Sequence, residues 1–268
     1  MWIAADFEAT ALFSLKPATS TSSGGKTLLI PTPFAVKMAL LDVICRTEGV
    51  AEGEHLWLTL AGANVAIRPP ARIVVNNTFA KVWKLRRTDT SKKEKKDEEP
   101  ITESIEDPSE GDEQETVGGG RNAGPLGASI AYREYAYLDG LFGIALDLPF
   151  SAALSEERAA RWLIGIQSLG KRGSFVQAQH YPTFQDTLPD GYIVLNGDFG
   201  EMLPLNRIIQ QVDDTSTETT FQRVNIYAEN KGKGKLELGT HRLLRPVLLP
   251  YKVRRASRSF TFYERVAD

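Results

Sequence analysis

Two stretches of this chain repeat apolar residues with a helical period, and several shorter ones have the look of strands. Phe34, Met38, Leu41 and Cys45 recur at spacings of four, three and four, which predicts a helix with these side chains on its buried face and Lys37 and Arg46 off it. Thr32-Pro33 supplies the start, a capping hydroxyl followed by proline at the first helical position. Ala159, Trp162, Leu163, Ile166 and Leu169 form the stripe of a second helix. Ser155 caps it, and Glu156 and Glu157 put negative charge where the helix dipole favours it. Met1 to Leu15, Leu56 to Leu60, Ala71 to Val75 and Leu141 to Leu148 have strand character, the middle two separated by Gly62 and an Arg68-Pro69-Pro70 turn.

The order is strand, helix, strand, inserted hairpin, strand, helix, and a further strand near Val176 completes a βαββαβ series. That predicts an α+β chain whose residues 1–189 form a ferredoxin-like domain, with an insertion over 76–137. From 190 to 268 short strands alternate with turns such as Asn196-Gly197 and Lys231-Gly232, which predicts a smaller, mostly-β region.

The arms of the insertion, NNTFAKVWKLRR at 76–87 and AYREYAY at 131–137, interleave rings with cations. Strand alternation sets Phe79, Lys81, Trp83 and Arg87 along one face, with Arg133, Tyr135 and Tyr137 on the other arm. Rings that stack on bases and cations that neutralise phosphates suit single-stranded nucleic acid, although a solvated surface strand pair is the ordinary reading of such cations. Charge sharpens the picture. The net charge of -2 hides a segregation: residues 94–115 hold 11 acidic and 2 basic side chains, leaving 30 basic and 23 acidic elsewhere. A basic remainder fits a polyanionic partner. Residues 89–128, acidic and marked by Gly118-Gly119-Gly120, bury too little to offset their entropy and predict a flexible loop.

Several chemistries are disfavoured. Cys45 is the single cysteine, so no internal disulfide forms, and His55, His180 and His241 lack metal-ligand spacing. No cofactor or metal is expected. Ser23-Gly24-Gly25-Lys26-Thr27 lacks the earlier glycine of a nucleotide-binding loop, although Lys26 remains able to touch phosphate. Without a signal-like start or an apolar run of about 18 residues, a cytoplasmic protein with no membrane partner is expected.

Ile30-Pro31-Thr32-Pro33, Asn76-Asn77, Arg133-Glu134-Tyr135 and Leu169-Gly170-Lys171-Arg172-Gly173-Ser174 occur in that order over most of residues 1–180. In these motifs the chain resembles the fifth family of CRISPR-associated (Cas) proteins, the RAMP-type backbone subunits of the Cascade complex. The resemblance implies a ferredoxin-like domain with a thumb hairpin, holding the 5′ handle of a CRISPR RNA and capping a filament of other Cas subunits. It implies further partners in a filament backbone and a large subunit, with target DNA met through the complex. The residues then expected at RNA are Lys26, Lys37, Asn76, Asn77, Lys81, Trp83, Lys84, Arg86, Arg87, Arg133, Tyr135, Lys171, Arg172 and Ser174. The Gly170–Ser174 loop reads equally as a plain helix-ending connection. No catalytic residue is expected. The alternatives are a metal-independent endoribonuclease that processes precursor RNA, with His180 and Tyr181 as its nearest candidates, and a protein-only assembly adaptor. The run 231–258, nine basic residues against Glu237, fits a protected sheet edge, RNA or an acidic neighbouring subunit.

Overall fold

The computed structural model describes residues 1–20, 25–85, 126–151, 154–171, 173–197, 207–228, 234 and 236–266. In chain order its elements are β1 (Trp2–Ala9), α1 (Pro33–Glu48), α2 (Val50–Gly62), β2 (Asn64–Arg68), β3 (Arg72–Leu85), β4 (Leu126–Asp139), β5 (Phe142–Asp147) and α3 (Glu156–Ile164). Then follow β6 (Val176–Ala178), β7 (Thr183–Gln185), β8 (Ile193–Val194), β9 (Ile208–Thr215), α4 (Phe221–Val224), β10 (Arg242–Leu249), β11 (Tyr251–Ala256) and β12 (Phe260–Arg265). The chain is α+β, its strands paired antiparallel throughout the registered ladders. It divides into two compact units, one of Met1–Thr78 with Arg133–Asp268 and one of Phe79–Tyr132.

The principal sheet of the first unit runs β6-β1-β5-β2-β8, with β7 also on β1. Alternation along β1 sends Ile3, Ala5 and Phe7 into the large core beneath the helices. Ala4 turns the other way. It stands in register with Ala145, which stands in register with Ala66, and this line of small side chains is covered by Trp2, Leu188, Tyr192 and Val194. Gly143 has the same use one step along. It lies between Asp6 and Arg68 in the ladders, those two are joined at 2.6 Å, and a methyl on Gly143 would fall 2.1 Å from the Tyr192 hydroxyl. Burial pushes the Tyr192 phenol up to about 12.

Helix α1 begins as its sequence dictates, the Thr32 hydroxyl accepting from Ala35 N at 3.1 Å ahead of Pro33. Its buried set is wider than the single stripe expected. Val36, Leu40, Leu41, Val43, Ile44 and Cys45 are buried, while Phe34 and Met38 are only half-buried. Gly49, at φ +101°, breaks α1 from α2. Residues Leu56 to Leu60, expected as a strand, lie inside α2: Gly53, Leu56, Trp57 and Leu60 point inward and Leu58 outward, a helical and not an alternating pattern. The strand comes afterwards, as β2. Gly53 lets the two helices approach, since a Cβ there would sit 2.5 Å from Cys45 Sγ. Ser155 caps α3 by accepting from Arg158 N, and Ala159, Trp162 and Leu163 are buried on it as expected, whereas Ile166 and Leu169, read as part of the same helical stripe, are buried beyond its end at Ile164.

A second sheet, β11-β12-β3-β4, joins the end of the chain to its middle. Among the described residues beyond 190 the regular elements are strands apart from α4, and some are built into sheets with earlier ones: β8 pairs with β2 and β12 with β3. A third ladder pairs β9 with β10. No helix among the described residues is long and apolar enough to cross a membrane.

Candidate nucleic-acid interface

In the second unit the alternation read from sequence is realised. Phe79 and Trp83 are 67% and 60% exposed, and Lys81 Nζ lies over the Trp83 ring, 5.2 Å from its centroid. Phe79 meets Tyr132 of the facing strand at 5.3 Å between ring centres. Solvent-facing rings of this size, one already shared with a cation, offer bases a surface on which to stack. Lys84 belongs to β3, but its side chain, like Arg86, Arg87 and the acidic tract as far as residue 125, lies outside the described residues.

In the first unit, Glu134 organises what surrounds it. Its buried carboxylate receives Lys26 Nζ at 2.7 Å and Thr27 N at 3.0 Å, and its own N–H donates to the Gly25 carbonyl at 2.6 Å. Three contacts therefore bind the segment 25–27 to β4. The Lys26 side chain is still 69% exposed. Burial and the Glu134 charge push the Tyr263 phenol up. Asn76, half-buried, stands opposite Phe260 in the β3–β12 ladder. Asn77 spends its groups on the turn between β11 and β12, N–H to Ser259 O and Nδ2 to Arg258 O, both at 2.8 Å. Arg133 and Tyr135 are half-buried on the side of β4 opposite Glu134.

The loop after α3 folds on itself. Leu169 N donates to Ser174 O at 3.0 Å and Ser174 N to Lys171 O at 3.2 Å, with Gly170 and Gly173 at φ +73° and +96°. Lys171 is exposed at the rim of a cleft of about 960 Å³ between this loop, residues 15–20 and α1. Across the cleft Arg242 is held by Asp213 at 2.6 Å and lies over the Phe34 ring, 4.4 Å from its centroid, which is why Phe34 stops short of the core. Arg172 lies outside the described residues.

Two expected contacts are corrected. Lys37 is 1% exposed, its ammonium 2.7 Å from Asp214 Oδ1, 2.7 Å from Ala61 O and 3.2 Å from Thr215 Oγ1. Burial lowers its pKa, against the pull of Asp214. α1 packs against other elements on this side as well, so a cation there becomes part of the core. Ser174 is also buried, and its hydroxyl accepts from Ser14 N at 3.3 Å.

No protein-family model matches the chain. The CRISPR-associated protein Cas5 of Archaeoglobus fulgidus is 29% identical to it over 90 residues. Over that segment the chain is similar to Cas5. The match takes in 33% of this chain and 40% of that protein, so the shared segment is less than half of the curated relative. A crystal structure of a CRISPR protein from Archaeoglobus fulgidus is 12% identical and covers 100% of this chain and 92% of that one, at a TM-score of 0.35 that carries no argument about fold.

Among the described residues, no group of three or more His, Cys, Asp and Glu side chains is placed to hold a metal. His180 and Tyr181 are exposed, while His241 is buried, its Nδ1 accepting from Glu237 N. Sequence reading missed the part played by Glu134 in fastening residues 25–27. The only local signal was an acid between Arg133 and Tyr135 in an otherwise cationic arm.

Proposed function

We propose that this chain is a non-catalytic CRISPR RNA-binding subunit of a Cascade-type interference complex, holding the 5′ handle of the guide RNA and capping the filament of other Cas subunits. The observation that carries this reading is the exposed Trp83 ring under Lys81, beside the Phe79 and Tyr132 pair. Rings and cations so arranged take single-stranded RNA with little regard to sequence. The relation to Cas5 supports a CRISPR RNA as the polyanion. The strand order β6-β1-β5-β2, with α1 and α3 in the two crossovers, supports a ferredoxin-like, RAMP-type domain. Target DNA is met through the complex, in the cytoplasm.

Purified protein incubated with repeat RNA in EDTA, with retention and cleavage read on one gel, tests this. Retention without cleavage is expected. Trp83→Ala should weaken retention by about 1–3 kcal/mol, the contribution of one stacked base. EDTA-resistant cutting that disappears in His180→Ala would make the chain an endoribonuclease, and absence of retention would leave a protein-only adaptor.

A further inference from the structure

We propose that the outer face of the sheet β11-β12-β3-β4, within the first unit, is a second platform for single-stranded nucleic acid, distinct from the Phe79, Lys81 and Trp83 surface of the second unit. Registers define the face. Phe260 stands opposite Asn76, Phe262 opposite Val74 and Glu264 opposite Arg72, so these six share one side. Arg72 reaches Asp139 at 2.6 Å, which brings the Asp139 side of β4 to the same face, and with it Tyr137, Tyr135 and Arg133 at alternate positions. The intervening residues Glu134, Ala136 and Leu138 are buried beneath. On the outer strand Lys252 stands opposite Glu264 and, past a shift of register, Arg255 stands opposite Phe262 with its guanidinium 5.7 Å from the Phe260 ring centre.

Two rows of rings result, Tyr135 and Tyr137 on β4 and Phe260 and Phe262 on β12, with β3 between them. Neighbouring strands lie about 4.8 Å apart and alternate residues about 7 Å, so the rows stand about 10 Å apart with one ring for each base-sized step. Tyr137 is 49% exposed, and the phenylalanines are half-buried. Among the described residues the face carries Arg72, Arg133, Lys252, Arg254 and Arg255 against Asp139 and Glu264, with Arg254 bonded to Glu264. Cations threaded between rings suit phosphates and bases. A protein-binding core would be expected to have its charges cleared away.

The test uses the full chain with fluorescent twelve-nucleotide oligouridine and oligothymidine, together with ultraviolet cross-linking and peptide mapping. Tyr137→Ala with Phe262→Ala should lower affinity for the oligonucleotides at least tenfold, and cross-links should map to peptides holding residues 135–137 and 260–262. Should the double variant unfold, Lys252→Gln with Arg255→Gln, which removes no ring, should lower affinity about fivefold and flatten its salt dependence. Tighter binding of oligouridine assigns the face to RNA, and equal binding leaves it open to either strand; both support the platform. Unchanged affinity in folded variants, no binding of either oligonucleotide by the parent chain, or cross-links confined to residues 79–83 would overturn it. Trp83→Ala measured alongside separates this face from the Trp83 surface of the second unit, because each surface can fail without the other.

Discussion

Lys26 and Lys37 make the same contact in opposite surroundings. Each ammonium lies 2.7 Å from a carboxylate oxygen, but one side chain is 69% exposed and the other 1%. At Lys37 the ion pair is completed from all sides. Asp214 also accepts from Thr215 N at 2.7 Å and from Asn196 Nδ2 at 2.8 Å, and Asn196 reaches on to Ala63 O and Val65 N at the start of β2. The pair thus joins α1, the end of α2, β9 and the entry to the principal sheet. At Lys26 solvent screens the charges, and the carboxylate does its fastening through a backbone N–H as much as through the lysine. A lysine near a motif is therefore a poor guide to ligand contact until its burial is known.

The largest effect should come from breaking the buried pair. Lys37→Met leaves Asp214 charged in the core and should cost about 3–5 kcal/mol in urea unfolding. A loss below 1 kcal/mol would show that Asp214 is satisfied without it. Next in size is Gly143→Ala, whose new methyl collides with Tyr192 and should cost about 1–3 kcal/mol. Its independent sign is spectroscopic: the displaced Tyr192 phenol should titrate nearer its ordinary 10 than the present value of about 12. Lys26→Ala should cost less than about 1 kcal/mol because its partner pair is screened, and a loss matching that of Lys37→Met would erase the contrast between the two sites.

The smallest effect concerns a surface pair and shows itself through pH. Burial pushes the Glu48 carboxyl up, but hydrogen bonds from Arg158 and from Trp162 Nε1 at 2.7 Å, with the Arg158 charge, hold it below the ordinary 4.5. A depressed carboxyl stabilises the fold above its ordinary pKa and loses that contribution as pH falls through the depressed value. Glu48→Gln should therefore melt slightly earlier than the parent near neutral pH, with the difference fading below about pH 4. A constant difference across the range would mean that packing, and not charge, is responsible.

What could be read from sequence was what is local. Thr32, Pro33 and Ser155 mark helix starts because capping is decided within three residues. The hairpin arms were visible because alternation is a property of one strand. The α3 stripe held as far as Leu163 because that helix buries one face, but it ran past the helix end at Ile164 to Ile166 and Leu169, and the α1 stripe was incomplete because that helix is covered on more than one. Leu56 to Leu60 misled because a five-residue apolar run fits a strand or a helix segment equally well. The Glu134 tie and the sheet partner of β3 were out of reach for another reason. The first spans 107 residues and Asn77 meets its turn across 181, distances over which no local pattern carries information.

That separation also sets a schedule for biogenesis. When β3 leaves the ribosome, the turn that Asn77 will hold lies 181 residues away in sequence. At about 5–20 residues per second the wait is roughly 10–40 s, during which β3 has at most its β4 neighbour and one bare edge. For that interval the nascent chain offers an open template for strand pairing, and the arrival of β12 is what closes it.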